Sequence, residues 1–418
     1  MPFASAGQGS HGVRYMPEYA RSLSNLAVVF LLASVTFGCG TTRSDAKEDD
    51  LLQRRAEYQQ EYLDQTNQRY TAILQRNKAE LDAFTAHKRD RPPVIDYLII
   101  SGGGDMGAFG AGFLKGWSTV PKDHPLARPQ FDVVTGVSTG ALIAPFAWIG
   151  APDADERVVQ IYRNPGKDWV KERWPLYFMP YNISFAEVPG LEREVKETFS
   201  RDLIARIADP QHSGRLLFVN TTNLDDGSPH VFYLIPEAQR AMQTGDVTRF
   251  QTILLASAGI PGAFPYREID GAMHVDGAVS ANMIFGGRLP EERRLVGLWQ
   301  KLYPDTPMPK LRYWVIFNNQ THPVPIIVHA RWYDIIVRSV DVASRAASLN
   351  ALRQLYLIAE VAHLKRNADV EVRFIAIPDD WRPPKAGTFE KETMNNLVDL
   401  GEKLGADPAS WLTEPPIQ

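Results

Sequence analysis

The pentapeptide Gly136-Val137-Ser138-Thr139-Gly140 fits G-x-S-x-G, with apolar residues 131–134 largely ahead of it and 141–143 behind. A strand that turns sharply into a helix crowds its own backbone, so glycines flank the turn and the serine hydroxyl is pushed outward. The N-terminus of the following helix favours developing negative charge there by about 0.3–1 kcal/mol. A serine nucleophile needs a base, and two kinds stand downstream. His322, His329 and His363 would complete a serine–acid–histidine triad in the chain order of an α/β-hydrolase. Asp276, within His274-Val275-Asp276-Gly277-Ala278, ends a short strand-like stretch, and Gly277 turns the chain so that the carboxylate stays at a sheet edge. A carboxylate within hydrogen-bond reach of Ser138, its pKa raised by burial, accepts the proton directly. An Asp-Gly pair alone is also an ordinary turn.

The second cluster is Ser101-Gly102-Gly103-Gly104-Asp105-Met106-Gly107, whose bare amides can converge on an anion. Gly102, Gly104 and Gly107 also fit G-x-G-x-x-G, the pyrophosphate loop of a dinucleotide fold. That unit wants an acidic residue at the end of the next strand to hold a ribose, and here the next strand runs into Ser138. The loop therefore reads as an oxyanion hole, with a purely structural turn as the plainer alternative. One lost donor of this kind raises a barrier by about 2.7–4 kcal/mol. His274 shares a strand face with Asp276. It is read first as a packing or surface histidine, with tuning of Asp276 or shared metal ligation as the alternatives.

Positioning these groups requires alternating strands and helices. Strands are expected at 95–100, 131–135, 216–220, 230–234, 311–317 and 370–377, and helices at 108–117, 141–148, 332–365 and 391–404. This alternation predicts an α/β fold with a mainly parallel central sheet and helices on both faces. Phe113, Trp117, Phe146 and Trp148 fall on the helices beside the motifs, as core or as lining of an acyl-chain pocket. Residues 40–92 are polar and rich in Gln, Arg and Glu. They read as one or two exposed helices that pack on the body or pair with another chain, and most plainly as a stalk ending at Arg91-Pro92-Pro93. The Pro-rich end reads as a surface tail around one helix. The domain expectation is thus 1–39, 40–92, 93–380 and 381–418.

Forty-five Lys plus Arg against 49 Asp plus Glu give a net charge of −4, without the basic excess of a nucleic-acid binder. The single cysteine closes no intramolecular disulfide and builds no thiolate metal cage. No metal and no cofactor are expected. Residues 26–37 form an uncharged, mostly apolar run behind Arg21, about 18 Å long as a helix, which is short of the roughly 30 Å hydrocarbon core. They read as the core of a signal peptide. Gly38-Cys39 at its end resembles a bacterial lipobox, although Thr36 stands where leucine is usual. Lipidation of Cys39 would anchor the protein in the cell envelope, with Gly40 allowing sorting to the outer membrane; a periplasmic or secreted protein is the alternative.

In order and spacing, the three motifs resemble the patatin-like phospholipase family, in which a glycine-rich oxyanion loop, G-x-S-x-G and D-G-[AG] form a serine–aspartate dyad. The matches are residues 102–107, 136–140 and Asp276-Gly277-Ala278. The segment Ala256-Ser257-Ala258-Gly259-Ile260-Pro261-Gly262-Ala263-Phe264-Pro265 is similar to the stretch preceding the family's aspartate. The resemblance implies a three-layer α/β/α lipid acyl hydrolase acting on membrane lipid or another lipid ester. Ser138 would be the nucleophile and Asp276 the base. Gly136 and Gly140 would flank the elbow, and oxyanion donors would lie among Gly102, Gly103, Gly104 and Asp105. Met106 departs from the family, which usually places Arg or Lys there. An idle lipid-binding or scaffold protein on the same fold is the alternative.

Overall fold

The computed structural model describes residues 47–173, 182–212 and 214–416; Cys39 and the apolar run before it lie outside the described residues. Among the described residues an eight-stranded sheet carries the site. Its strands are β1 (Val94–Ile100), β2 (Val133–Val137), β3 (Leu216–Asn223), β4 (Ser228–Tyr233), β5 (Arg267–Ile269), β6 (Ala272–Asp276), β7 (Lys310–Gln320) and β8 (Val370–Ile377). The order is β8-β7-β1-β2-β3-β6-β5, with β4 also paired to β3. From β8 to β3 every pairing is parallel, whereas β4, β5 and β6 add antiparallel pairings at the other side.

Side chains alternate across the strands, which gives the sheet an apolar core on each face. Leu98, Ile100, Trp314 and Ile316 face one core, and Ile95, Tyr97, Ile99, Tyr313 and Val315 the other. The first core is covered by helices that include α1 (Gly107–Ser118), α2 (Thr139–Ile149), α3 (Thr248–Ser257) and α4 (Lys391–Gly405). The second is covered by α5 (Glu48–Thr85), α6 (Leu295–Leu302) and α7 (Trp332–Arg366).

The polar amino-terminal stretch forms one helix, α5, packed on the body. Its Tyr70, Ile73 and Leu74 are buried among sheet residues, and Arg76 bonds Asp132 and the carbonyl of Gly214. The apolar stripe is short and hidden among charges, which is why the composition suggests a stalk. The carboxy-terminal helix α4 is equally integral. A Cβ on Gly112 or Gly116 of α1 would lie 2.2 or 2.1 Å from the carbonyl oxygens of Val398 and Glu402. Reciprocally, a Cβ on Gly401 or Gly405 would lie 2.2 Å from those of Phe109 and Phe113. Two glycine pairs spaced by four residues thus let the helix backbones touch. None of the described helices is long and apolar enough to cross a membrane.

Candidate active site

The parallel strands β1, β2 and β7 end at one edge of the sheet, where α/β folds present their loops to ligands. Ser138 follows β2 with φ 55° and ψ −126°, a strained conformation for a side chain-bearing residue. The turn closes because its flanks are bare. A Cβ on Gly136 would lie 2.2 Å from the Gly140 carbonyl oxygen, and one on Gly140 would lie 2.3 Å from that of Ile100. The Ser138 amide donates to Ser257 Oγ at 3.0 Å, and Ser257 Oγ donates to the Asn220 carbonyl at 2.6 Å. The elbow is thereby tied to the end of α3 and to β3.

Ser138 Oγ donates to Asp276 Oδ2 at 2.6 Å. The other carboxylate oxygen, Oδ1, accepts the Ala278 amide at 2.8 Å, so both oxygens are fixed. Both side chains are buried, Ser138 at 5% and Asp276 at 3% exposure. Burial pushes the Asp276 carboxyl up to about 6, against the bonds from Ser138 and Ala278 that pull it down. Gly277 allows the close approach of β3, since a Cβ there would meet the Asn220 carbonyl oxygen at 2.3 Å.

The glycine loop lies directly over the serine: a Cβ on Gly102 would be 2.9 Å from Ser138 Cβ. The Gly102 amide donates to Asn282 Oδ1 at 2.8 Å, which makes it an anchor of the loop and leaves it no free hydrogen for an oxyanion. The amides of Gly103 and Gly104 have no acceptor among the described residues. Asn318 holds the base of the loop, its amide donating to Ser101 Oγ at 2.9 Å and its Nδ2 to the Ser101 carbonyl at 2.8 Å. Asp105 turns inward. Its carboxylate accepts the Phe389 amide at 2.9 Å, and burial raises its pKa. Three tethers thus hold the loop where the sequence offers Met106 in place of a cation; Met106 itself packs against the apolar core.

The histidines stand elsewhere. His322 pairs with Asp379 at 2.6 Å on the surface, His329 and His363 are exposed, and no hydrogen bond joins any of them to Ser138. His274 is buried, bonds Thr221 Oγ1 at 2.8 Å, and has its pKa lowered to about 4 by desolvation. No metal-holding group of side chains occurs among the described residues. Phe113, Trp117, Phe146 and Trp148 are fully buried core residues. Aromatic surface near the loop comes instead from Phe389, whose ring packs 5.9 Å from Trp169 and 6.4 Å from Phe264. Sequence reasoning missed Asn282, Asn318 and Phe389, because nothing local marks a partner more than 100 residues away. Ser257 lay within a motif-like segment that gave it no role.

Residues 98–287 match the family model described as Patatin-like phospholipase, so the chain carries a patatin-like phospholipase domain that spans the loop, the elbow and Asp276. That family consists of lipid acyl hydrolases, and its members act on lipid substrates. Among solved structures, VipD from Legionella pneumophila matches with 10% identity and a TM-score of 0.33, over 77% of this chain and 68% of that one. No curated protein matches the chain.

Proposed function

We propose that the protein is a serine acyl hydrolase that cleaves lipid esters through Ser138 and Asp276. The observation that carries this reading is the 2.6 Å contact between Ser138 Oγ and a buried carboxylate at the strained elbow. Asp276 takes the hydroxyl proton as Ser138 Oγ attacks the ester carbonyl carbon. The Gly103 and Gly104 amides donate to the tetrahedral oxyanion. Collapse breaks the bond to the alcohol, which leaves with the proton from Asp276. Water then attacks the acyl-enzyme, giving its proton to Asp276, and Ser138 departs reprotonated. This chemistry requires no metal and no cofactor.

A lipid surface as the source of substrate is supported by apolar side chains at the same sheet edge. Ile326 and Ile327 in the loop after β7, and Ile335, Ile336 and Val340 on the first turns of α7, are all exposed. In this reading the chain is anchored in a bacterial envelope membrane through lipidated Cys39, so Cys39→Ala releases it into the soluble fraction. The dyad is tested with p-nitrophenyl butyrate and with phospholipid vesicles. Ser138→Ala lowers turnover of both by at least about 10³-fold. Asp276→Asn lowers it by about 10²–10⁴-fold. Retained turnover in either folded variant overturns the assignment, and loss on changing His322 would move the base to a histidine.

A further inference from the structure

A cleft of about 750 Å³ lies beside the dyad without including it. It opens between α5, residues 278–290 and the middle of α7, and its walls include Tyr62, Leu63, Val231, Ile284, Phe285 and Ala351. Its volume lies within the roughly 300–1,000 Å³ typical of small-molecule sites. Ser138, Asp276, Gly103 and Gly104 are not among its lining residues, although Ala278, whose amide holds Asp276, is. An apolar cleft of this size is matched by a single long acyl chain.

The cleft also carries one exposed cation, Arg288, whose guanidinium donates to the Ser280 carbonyl and forms no ion pair among the described residues. Burial raises the pKa of Tyr62 on the opposite wall, and the Arg288 charge is near enough to oppose part of that rise. The cleft is one side chain from the catalytic loop. Asn282, on its wall, accepts the Gly102 amide through Oδ1 and donates from Nδ2 to Ser348 Oγ of α7 at 2.8 Å.

From these features we infer that the cleft is a second lipid site, which binds a single-chain amphiphile with an anionic head. The chain lies along Leu63, Phe285 and Ala351, and the carboxylate or phosphate head pairs with Arg288. The site goes beyond the ester hydrolase reading and does not depend on it, because binding here requires no reaction at Ser138.

The test uses the full chain with Ser138→Ala, so that no turnover intervenes, and calorimetric titration with oleate, lysophosphatidate and oleyl alcohol. Oleate and lysophosphatidate are expected to bind once per chain, and the tighter of the two identifies the head as carboxylate or phosphate. Ala351→Trp fills the cleft from α7 and Leu63→Trp fills it from α5; each is expected to weaken oleate at least tenfold while circular dichroism and thermal unfolding stay unchanged. Two positions on different helices keep the result readable if one variant fails to fold. Arg288→Gln is expected to weaken oleate several-fold and to leave oleyl alcohol unchanged. Absence of saturable oleate binding, or binding indifferent to both filled clefts, overturns the site. Equal losses of oleate and oleyl alcohol in Arg288→Gln overturn the head-group assignment. The hydrolase reading is judged separately, by Ser138-dependent turnover of p-nitrophenyl butyrate.

Discussion

In the proposed mechanism burial suits Asp276 to act as a base, and the same burial makes its carboxylate a liability to the fold. A base must be deprotonated to act, so kcat/KM for a soluble ester should rise with pH and reach half its plateau near pH 6, where burial has pushed the carboxyl. A profile still rising only at pH 7–8 would point to another group. Stability runs the opposite way. The folded state holds the Asp276 proton more tightly than an unfolded chain, whose carboxyl titrates near 4. Stability therefore falls as pH rises from about 4 to about 6, and the loss persists above that. Asp276→Asn should accordingly raise the melting temperature at pH 8, by removal of on the order of 2–3 kcal/mol of charge burial, and change it little at pH 4. Ser138 and Asp276 were legible because each sits in a turn whose steric demands are written in adjacent glycines. Ser257, Asn282 and Asn318 were not, since an asparagine or serine in a loop carries no local sign of the distant backbone it will hold. The role of Gly102 as an anchor depends wholly on Asn282, 180 positions away.

Among the elements, those outside the matched domain do much of the positioning. Helix α1 begins where the glycine loop ends, and the direct backbone contact of α4 along it fixes that end of the loop. Gly401→Leu should force the two helices apart and destabilise the protein by more than about 3 kcal/mol, read as a lower urea midpoint, because the obstruction is backbone and cannot rotate away. Leu74→Ala, in a fully buried position of α5, should cost about 2–5 kcal/mol, whereas substitutions on the exposed turns near Leu52 should change stability by less than about 0.5 kcal/mol. A small effect of Leu74→Ala would mean that α5 is dispensable to the body. The strands near the motifs and the long helix α7 were readable from apolar runs and helical stripes. The integral character of α5 and α4 was not: a helix with few apolar positions looks solvated until its partner is known, and paired glycines resemble helix breakers in isolation.

For the molecule as a whole, the sheet gathers the glycine loop, the serine elbow and the loop into α7 at one edge. The first half of α7 is tied to that loop by Arg338 to the Val324 carbonyl and to the end of β7 by Arg345 to the Gln320 carbonyl. Among the described side chains of α7 none is buried ahead of Ser348, roughly 24 Å of helix at 1.5 Å per residue. Exposed isoleucines clustered near the mouth of the proposed catalytic site favour contact with a lipid interface. Ile327→Asp with Ile336→Asp should therefore reduce vesicle hydrolysis at least tenfold and leave p-nitrophenyl butyrate turnover unchanged; equal losses on both substrates would place these residues in the fold instead. The parallel α/β architecture was legible from the alternation of elements, but this exposed face could be seen only once packing had left it uncovered.

The proposed chemistry is probed most directly by a fluorophosphonate that phosphonylates an activated serine, with the adduct located by mass spectrometry. The account predicts one adduct per chain, on Ser138, forming at least about 100-fold more slowly in Asp276→Asn. An unlabelled Ser138 in folded protein, or labelling unaffected by Asp276→Asn, would contradict it.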